Sequence, residues 1–317
     1  MEKPGIGIFG DTGMVGGAID EYLKKHDSIQ VRYRRNSKRA EGSLSDCTLC
    51  FLATKDSDSM KFAKEASSAG VRVIDMSGAF RLDRLTFEKW YGIPHTCPEL
   101  IPKSVYGMPA LFRDLIKDAE IVANPGCFAT SVILTLSPLK GLFEESASVV
   151  ATSGNSGARR EIESEANDIT YSYGTKHKHV PEMNNYSCFD IDFTPIVLRS
   201  VFRGINTNIR LTLSDALLDM SANDAVYAIE NRIRSAYCPD DLVFVERDSK
   251  EKLWGTKDVN GTNKMIIKVR VDSGHAYICS MLDNLIKGAA GQAIENMNIM
   301  LGLPRLTGVY NADQFNS

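Results

Sequence analysis

No stretch of the 317-residue chain approaches the ~18 to 20 consecutive apolar residues that a membrane-spanning helix requires. The opening Met1-Glu2-Lys3-Pro4 carries no apolar signal-peptide core, so a cytoplasmic protein is expected. Charge of one sign is equally scarce: 37 Lys and Arg face 40 Asp and Glu, a net charge of -3. That balance leaves no basic footprint for nucleic acid or an anionic membrane. Internal repeats and low-complexity linkers are missing. Cysteine is sparse, seven residues scattered over a long chain, and an odd number so spread does not resemble the disulfide framework of a small secreted domain. They read as thiols. What remains is the composition of an ordinary globular protein, 43% hydrophobic and 24% charged, with length for about two domains.

The first apolar stretch, Gly5 to Phe9, runs through Gly10-Asp11-Thr12-Gly13-Met14-Val15-Gly16 into an amphipathic helix ending near Lys25. Strands near 29–34, 48–53, 71–75 and 120–123 alternate with helical segments, the signature of βαβ units and a parallel sheet. After about Val149 the texture changes to alternating strands near 206–213, 265–271 and 276–282, the last two flanking a hairpin turn at Asp272-Ser273-Gly274-His275. Ser221 reads as the cap of a helix, and a long final helix is expected from Asp283 or Asn284, with Leu285, Ala289, Ala293, Met297 and Leu301 on one face. The fold expected is α/β: a Rossmann-type doubly wound sheet plus an α+β domain with a mostly antiparallel sheet.

Glycines at 10, 13 and 16 leave room for backbone N–H groups at a helix N-terminus to approach a pyrophosphate; the alternative is a purely structural turn. An NAD site offers an acid to the ribose about 20 residues on. Here the second strand ends in Arg32, Arg34, Arg35, Ser37, Lys38 and Arg39, which favours NADP over NAD unless the run is a solvated basic loop. Cys127 falls where a strand ends and a helix begins, a place that stabilises a thiolate, although buried cysteine is often only a small hydrophobe. His177-Lys178-His179-Val180-Pro181-Glu182 supplies two imidazoles on one face if extended and a carboxylate to orient one. A general base is one reading; a zinc site or a structural pair are the others. Cys47 and Cys50 are expected to point to opposite faces of a strand as core residues. Ser153 to Ala158 reads as a second ligand-approaching loop or a plain turn, and Arg159 and Arg160 after it as anion-binding or surface residues.

Six segments in this order resemble N-acetyl-gamma-glutamyl-phosphate reductases: Gly10–Gly16, Asp75–Leu82, Asn124–Cys127, Ser153–Ala158, His177–Met183 and Asp283–Gln292. The likeness spans nearly the whole chain, and the His-Lys-His-Val-Pro-Glu-Met wording with the compact length is most similar to the shorter, second type of that family. This chain departs from the family at Asp11 or Thr12, where a tyrosine or threonine is common, and in Asp75-Met76-Ser77-Gly78, where Asp-Leu-Ser-Ala is common. The resemblance implies an NADP(H)-binding Rossmann domain of residues 1–126 with 283–317, and a catalytic and dimerisation domain of residues 127–282. It implies Cys127 as nucleophile and His179, or else His177, as base. Cofactor contacts are expected from Gly10, Thr12, Gly13, Met14, Val15, Gly16, Arg34, Arg35, Ser37, Ser77, Ser156, Gly157, Asn284 and Gly288, and substrate contacts from Asn124, Arg81, Arg159, Glu182 and Arg203. The implied partners are an acyl phosphate and inorganic phosphate in a homodimer or homotetramer, without a metal. Two readings stand beside it: a related reductase of aspartyl or aminoadipyl phosphate, and a non-catalytic NADP-binding sensor.

Overall fold

The computed structural model describes residues 2–157, 168–248 and 252–309. The chain divides into two compact units, Met1–Gly126 with Ala289–Ser317, and Cys127–Gly288. The second crossing therefore falls at Gly288/Ala289 and not at 282/283.

In the first unit β1 (Gly5–Phe9) leads into α1 (Met14–Lys24), β2 (Gln30–Arg35), β3 (Ala40–Gly42), β4 (Leu49–Leu52) and α2 (Asp56–Ser68). The chain continues through β5 (Arg72–Asp75), α3 (Arg84–Tyr91), β6 (Ser104–Tyr106), α4 (Pro109–Asp118) and β7 (Ile121–Ala123). The sheet order is β3-β2-β1-β4-β5-β7-β6. All neighbours are parallel except β2 and β3. β1 and β4 are buried throughout, because crossover helices cover both faces of such a sheet and leave no position for a polar alternation.

The second unit opens with α5 (Cys127–Leu136) and continues through β8 (Ser146–Gly154), β9 (Asp168–Thr170), α6 (Val180–Ser187), β10 (Asp190–Leu198) and β11 (Ile205–Thr212). It closes with α7 (Asp215–Leu218), α8 (Ala222–Ala236), β12 (Val243–Val245), β13 (Met265–Asp272) and β14 (His275–Leu282). Its sheet runs β12-β13-β14-β11-β8-β10-β9. The pairs β8/β10 and β12/β13 are parallel, and β9/β10, β8/β11, β11/β14 and β13/β14 antiparallel. The Ser221 hydroxyl accepts from Asp224 N and caps α8. The hairpin turn is tighter than expected: Asp272 pairs with His275, leaving Ser273 and Gly274 as a two-residue loop. Both have positive φ, 49° and 77°, the twist that suits a right-handed hairpin.

The final helix differs most from expectation. Residues Ile286–Ala290 form a π turn, and only then does α9 (Gly291–Met300) begin. α9 is buried around its whole circumference, with Ala293, Ile294 and Met297 in the same core cluster as Ile6, Ile8, Leu49 and Ile74. Its polar residues bond within the protein: Asn296 donates to Gly107 O at 2.8 Å, and Glu295 accepts from Arg305 at 2.7 Å. A one-faced apolar pattern misses this helix because hydrogen bonds, and not solvent, receive its polar face.

Candidate active site

The glycine turn of the first unit is shaped for close approach. Gly10 has φ 82°, and a Cβ there would lie 2.3 Å from Ala53 O. A Cβ on Gly16 would lie 2.0 Å from Gly10 O, so any side chain would push α1 away from β1. No side chain caps α1 at Gly13. Its first-turn N–H groups, from Met14, Val15 and Gly16, are the donors a phosphate takes at a helix N-terminus, and Thr12 sits in the same turn.

The basic segment beside this turn is more committed than its composition suggests. Arg34 pairs with Asp20, and Arg35 pairs with Glu65 at 3.0 Å while its guanidinium lies 4.8 Å from the Phe62 ring centroid. Arg39 reaches back to the glycine turn, donating to Asp11 at 2.7 Å, and Asn36 donates to the other Asp11 oxygen at 2.8 Å. Burial alone would raise the Asp11 carboxyl, but the bonds from Asn36 and Arg39 outweigh it and hold the group below the ordinary range. Ser37 is exposed and Arg39 is 44% exposed, against 21% for Arg34 and 31% for Arg35. A cation bonded to the glycine turn is thus Arg39, outside the set expected from the resemblance. Sequence distance hid the pairing, since Asp11 and Arg39 are 28 residues apart.

Three other expected ligands in this unit are tied into its framework. Arg81 is buried and donates from Nε to Asn124 O at 2.8 Å and from Nη2 to Met76 O at 3.0 Å. Asn124 is fully buried; its amide donates to Ala289 O at 3.3 Å and accepts from Asn296 at 3.0 Å. These bonds, with Asn124 N donating to Asp75 O at 2.8 Å, make Arg81 and Asn124 clamps of the turn 124–126. Ser77 donates its hydroxyl to Asp75 at 2.7 Å. Among the other thiols, Cys47 and Cys50 do not take opposite faces. Both lie against the position a Gly7 Cβ would occupy, at 3.5 Å and 3.0 Å, because Cys47 precedes the strand that begins at Leu49. Burial pushes Cys47 up to about 11 and Cys97 up to about 12, so these thiols stay protonated.

In the second unit Cys127 is the first residue of α5 and is only partly buried. A Cβ on Gly288 would lie 2.7 Å from Cys127 Cβ, so the backbone of the π turn packs directly on the cysteine. The next residue, Phe128, carries both imidazoles: His177 edge-on at 5.7 Å and His179 at 6.1 Å between ring centroids. The two histidines lie 4.7 Å apart, although the segment is a turn rather than extended, with His179 at the N-cap of α6.

The two rings are not equivalent. His177 Nδ1 accepts from His179 N at 3.1 Å, which leaves the neutral ring's proton on Nε2, 3.3 Å from Tyr171 Oη. Burial and then Lys178 lower its pKa to about 4, so His177 is neutral near pH 7. Tyr171 stays protonated, its pKa raised by burial and then by the charge of Cys127. Tyr171 escaped the sequence reading; six residues ahead of His177, it had no motif to mark it. Glu182 is buried in the first turn of α6.

A second group surrounds Asn284. Its amide donates to Ser156 Oγ at 2.9 Å and accepts from Gly204 N at 2.7 Å. A Gly157 Cβ would lie 3.2 Å from the same amide nitrogen. Arg203, 33% exposed, pairs at 3.2 Å with buried Asp283, which also accepts from Gly261, Leu285 and Ile286 N–H groups. Asn284, Ser156, Gly157 and Arg203 are therefore brought together, while Arg159 lies outside the described residues. Among the described residues, no group of three or more His, Cys, Asp or Glu could hold a metal ion, and no helix is long and apolar enough to cross a membrane.

These features define a two-unit dehydrogenase with a dinucleotide cradle and a cysteine at a helix N-terminus. Two family models match, the NAD-binding domain of semialdehyde dehydrogenases over residues 36–119 and their dimerisation domain over residues 127–284. Among solved structures, aspartate semialdehyde dehydrogenase II from Vibrio cholerae superposes with a TM-score of 0.73 at 17% identity, covering 95% of this chain and 99% of that one. The enzyme from Candida albicans, solved with NADP, superposes at 0.73 with 15% identity, covering 95% and 99%. These likenesses establish the fold. Sequence relatives are nearer: N-acetyl-gamma-glutamyl-phosphate reductases from Nitrosospira multiformis (35% identity, 98% of this chain and 99% of the relative) and Thermus thermophilus (33%, 95% and 97%). That from Rhodopirellula baltica is 39% identical over 84% of this chain and 79% of its own. The chain belongs to the N-acetyl-gamma-glutamyl-phosphate reductase family. Its alignment with the Nitrosospira protein spans 351 positions for 317 residues here, so that relative carries segments this chain lacks.

Proposed function

We propose that this protein catalyses the NADPH-dependent reductive dephosphorylation of N-acetyl-L-glutamyl 5-phosphate to N-acetyl-L-glutamate 5-semialdehyde, a step of arginine biosynthesis in the cytoplasm. The observation that carries the reading is Cys127 at the start of α5, against Gly288 and next to the Phe128 ring that both histidines share. The family's reductases align over nearly the whole chain around it.

The residues fit a dinucleotide: Gly10 and Gly16 keep the turn open, the uncapped α1 faces the pyrophosphate, and Arg39 stands at the turn for a 2′-phosphate. The N-terminus of α5 favours the Cys127 thiolate. The thiolate attacks the acyl carbon, the bond to the phosphate oxygen breaks, and phosphate departs with its electron pair, leaving a thioester. Bound NADPH supplies hydride to the thioester carbon. His179 donates a hydrogen bond to the developing oxyanion, which re-forms the carbonyl as the carbon–sulfur bond breaks and the thiolate returns. His177, neutral and bonded through Nε2 to Tyr171, holds that tyrosine and the following turn. Arg203 and Arg159 are the cations assigned to the substrate's carboxylate and phosphate, and the unit containing residues 127–288 carries the contacts of a homodimer or homotetramer.

The test is phosphate-dependent reduction of NADP with N-acetylglutamate semialdehyde, run beside aspartate semialdehyde and repeated with Cys127→Ser. Activity with the acetylated aldehyde alone, lost by at least about 10³-fold in Cys127→Ser while NADPH binding persists, is the expected result. Preference for aspartate semialdehyde would move the protein to a neighbouring reaction, and silence with intact NADPH binding would make it a sensor.

A further inference from the structure

Asp75 ends β5, at the C-terminal edge of a parallel sheet and on the far side of β4 from the glycine turn. In open α/β sheets this edge faces the ligand, and a dinucleotide lies across both halves of it. The carboxylate has no exposure at all. A charge so placed costs stability unless the surroundings repay it. The bonds it receives come from neutral donors: Ser77 N at 3.1 Å, Ser77 Oγ at 2.7 Å, and the Ser59 hydroxyl. Ser59 is in turn 2.9 Å from Thr54 Oγ1 at the end of β4. Burial, only partly offset by these bonds and by Arg81, raises the Asp75 pKa to about 6.

The consequence is local order in the loop after β5. Because Ser77 gives its single proton to Asp75, its oxygen accepts from Ala79 N at 3.1 Å. Asp56 accepts from Gly78 N at 2.8 Å. A Cβ on Gly78 would fall 2.0 Å from Tyr91 Oη, so the loop also packs closely from behind. A Thr54–Ser59–Asp75–Ser77–Ala79 chain thus runs along the strand tips.

We propose that Asp75 is a positioning residue for the dinucleotide, its carboxylate fixing the Ser77–Ala79 loop at the nicotinamide half of the sheet edge. Asp75 does so at a cost in stability, and a neutral amide of the same shape relieves that cost while scrambling the donor order of the loop. The inference rests on the dinucleotide reading above. Its signature is therefore a divergence between fold and ligand, which a purely structural carboxylate would not produce.

The experiment measures NADPH dissociation constants by nicotinamide fluorescence on the apo protein, with melting temperature and the KM for each substrate, for wild type, Asp75→Asn and Ser77→Ala. Expected is about tenfold weaker NADPH binding in Asp75→Asn, an unchanged KM for the acyl phosphate, and a melting temperature equal to or above wild type. Unchanged NADPH affinity overturns the proposal, as does a parallel fall in affinity and melting temperature. Should Asp75→Asn fail to fold, Ser77→Ala decides: it keeps the carboxylate but cuts the 2.7 Å bond, and wild-type affinity in it overturns the proposal. Wild type that binds no NADPH would instead refute the dinucleotide reading itself.

Discussion

The two units prepare for chemistry in opposite ways. The first builds its candidate cradle from backbone, with Gly10 and Gly16 admitting no side chain and a helix end that no side chain caps. Its charged groups are largely engaged: Arg34, Arg35 and Arg39 with carboxylates, and Arg81 with carbonyls. The second builds from side chains, two imidazoles on the Phe128 ring and the Cys127 thiol one residue before it in α5. A backbone cradle tolerates many substitutions around it but none at Gly10 or Gly16, whereas a side-chain site depends on the state of each ionisable group. Binding and reaction should therefore fail separately when each unit is altered.

The histidines offer the largest test. His179→Gln is expected to lower kcat by about 10²- to 10³-fold with NADPH binding intact, while His177→Gln should cost less activity and change the acid limb of stability. In the fold His177 titrates near about 4 against an ordinary 6.5. The unfolded chain therefore takes up the proton first, and stability falls as pH drops from 6.5 toward 4. Thermal melts across that window should show a shallower loss in His177→Gln. A steeper loss, or equal kcat effects in the two variants, would merge their roles.

Gly288→Ala comes next. With its Cβ only 2.7 Å from Cys127 Cβ, the π turn must shift, at a cost of about 1–3 kcal/mol, and kcat should fall roughly tenfold or more, with a smaller rise in the NADPH dissociation constant. Calorimetry and single-turnover kinetics read both. The smallest effect belongs to the first unit: Arg39→Gln should raise the KM for NADPH about tenfold and leave that for NADH unchanged, whereas Arg34→Gln, removing the partner of Asp20, should alter the two alike. If Arg34→Gln is the more selective change, the assignment of the basic turn is reversed.

What was legible in the sequence was local. The glycine turn, the strand-to-helix step at Cys127, the Ser221 cap and the paired histidines each depend on residues within a few positions of one another. What was not legible depends on partners brought together by the sheets: Asp11 with Arg39, Arg81 with Asn124, and Asn284 with Ser156, which is 128 residues away. Motif spacing carries no information on such pairs, so the bonds that brace these residues had no signal in the sequence. The His177/His179 relation lay between these cases, because adjacency was visible while the bond that makes one ring an acceptor was not.

The buried helix Gly291–Met300 has a consequence for how the protein comes into being. Its Ile294 and Met297 complete the core around Ile6 and Ile8, yet nearly the whole chain must be synthesised before they exist. A ribosome delivers the N-terminal residues first and their last core partner late, so the first unit must wait with an open hydrophobic face while the second has the opportunity to close. Truncations that stop at residue 288 should therefore leave residues 1–126 dependent on chaperones, and order of synthesis, as much as sequence, governs the yield of folded enzyme.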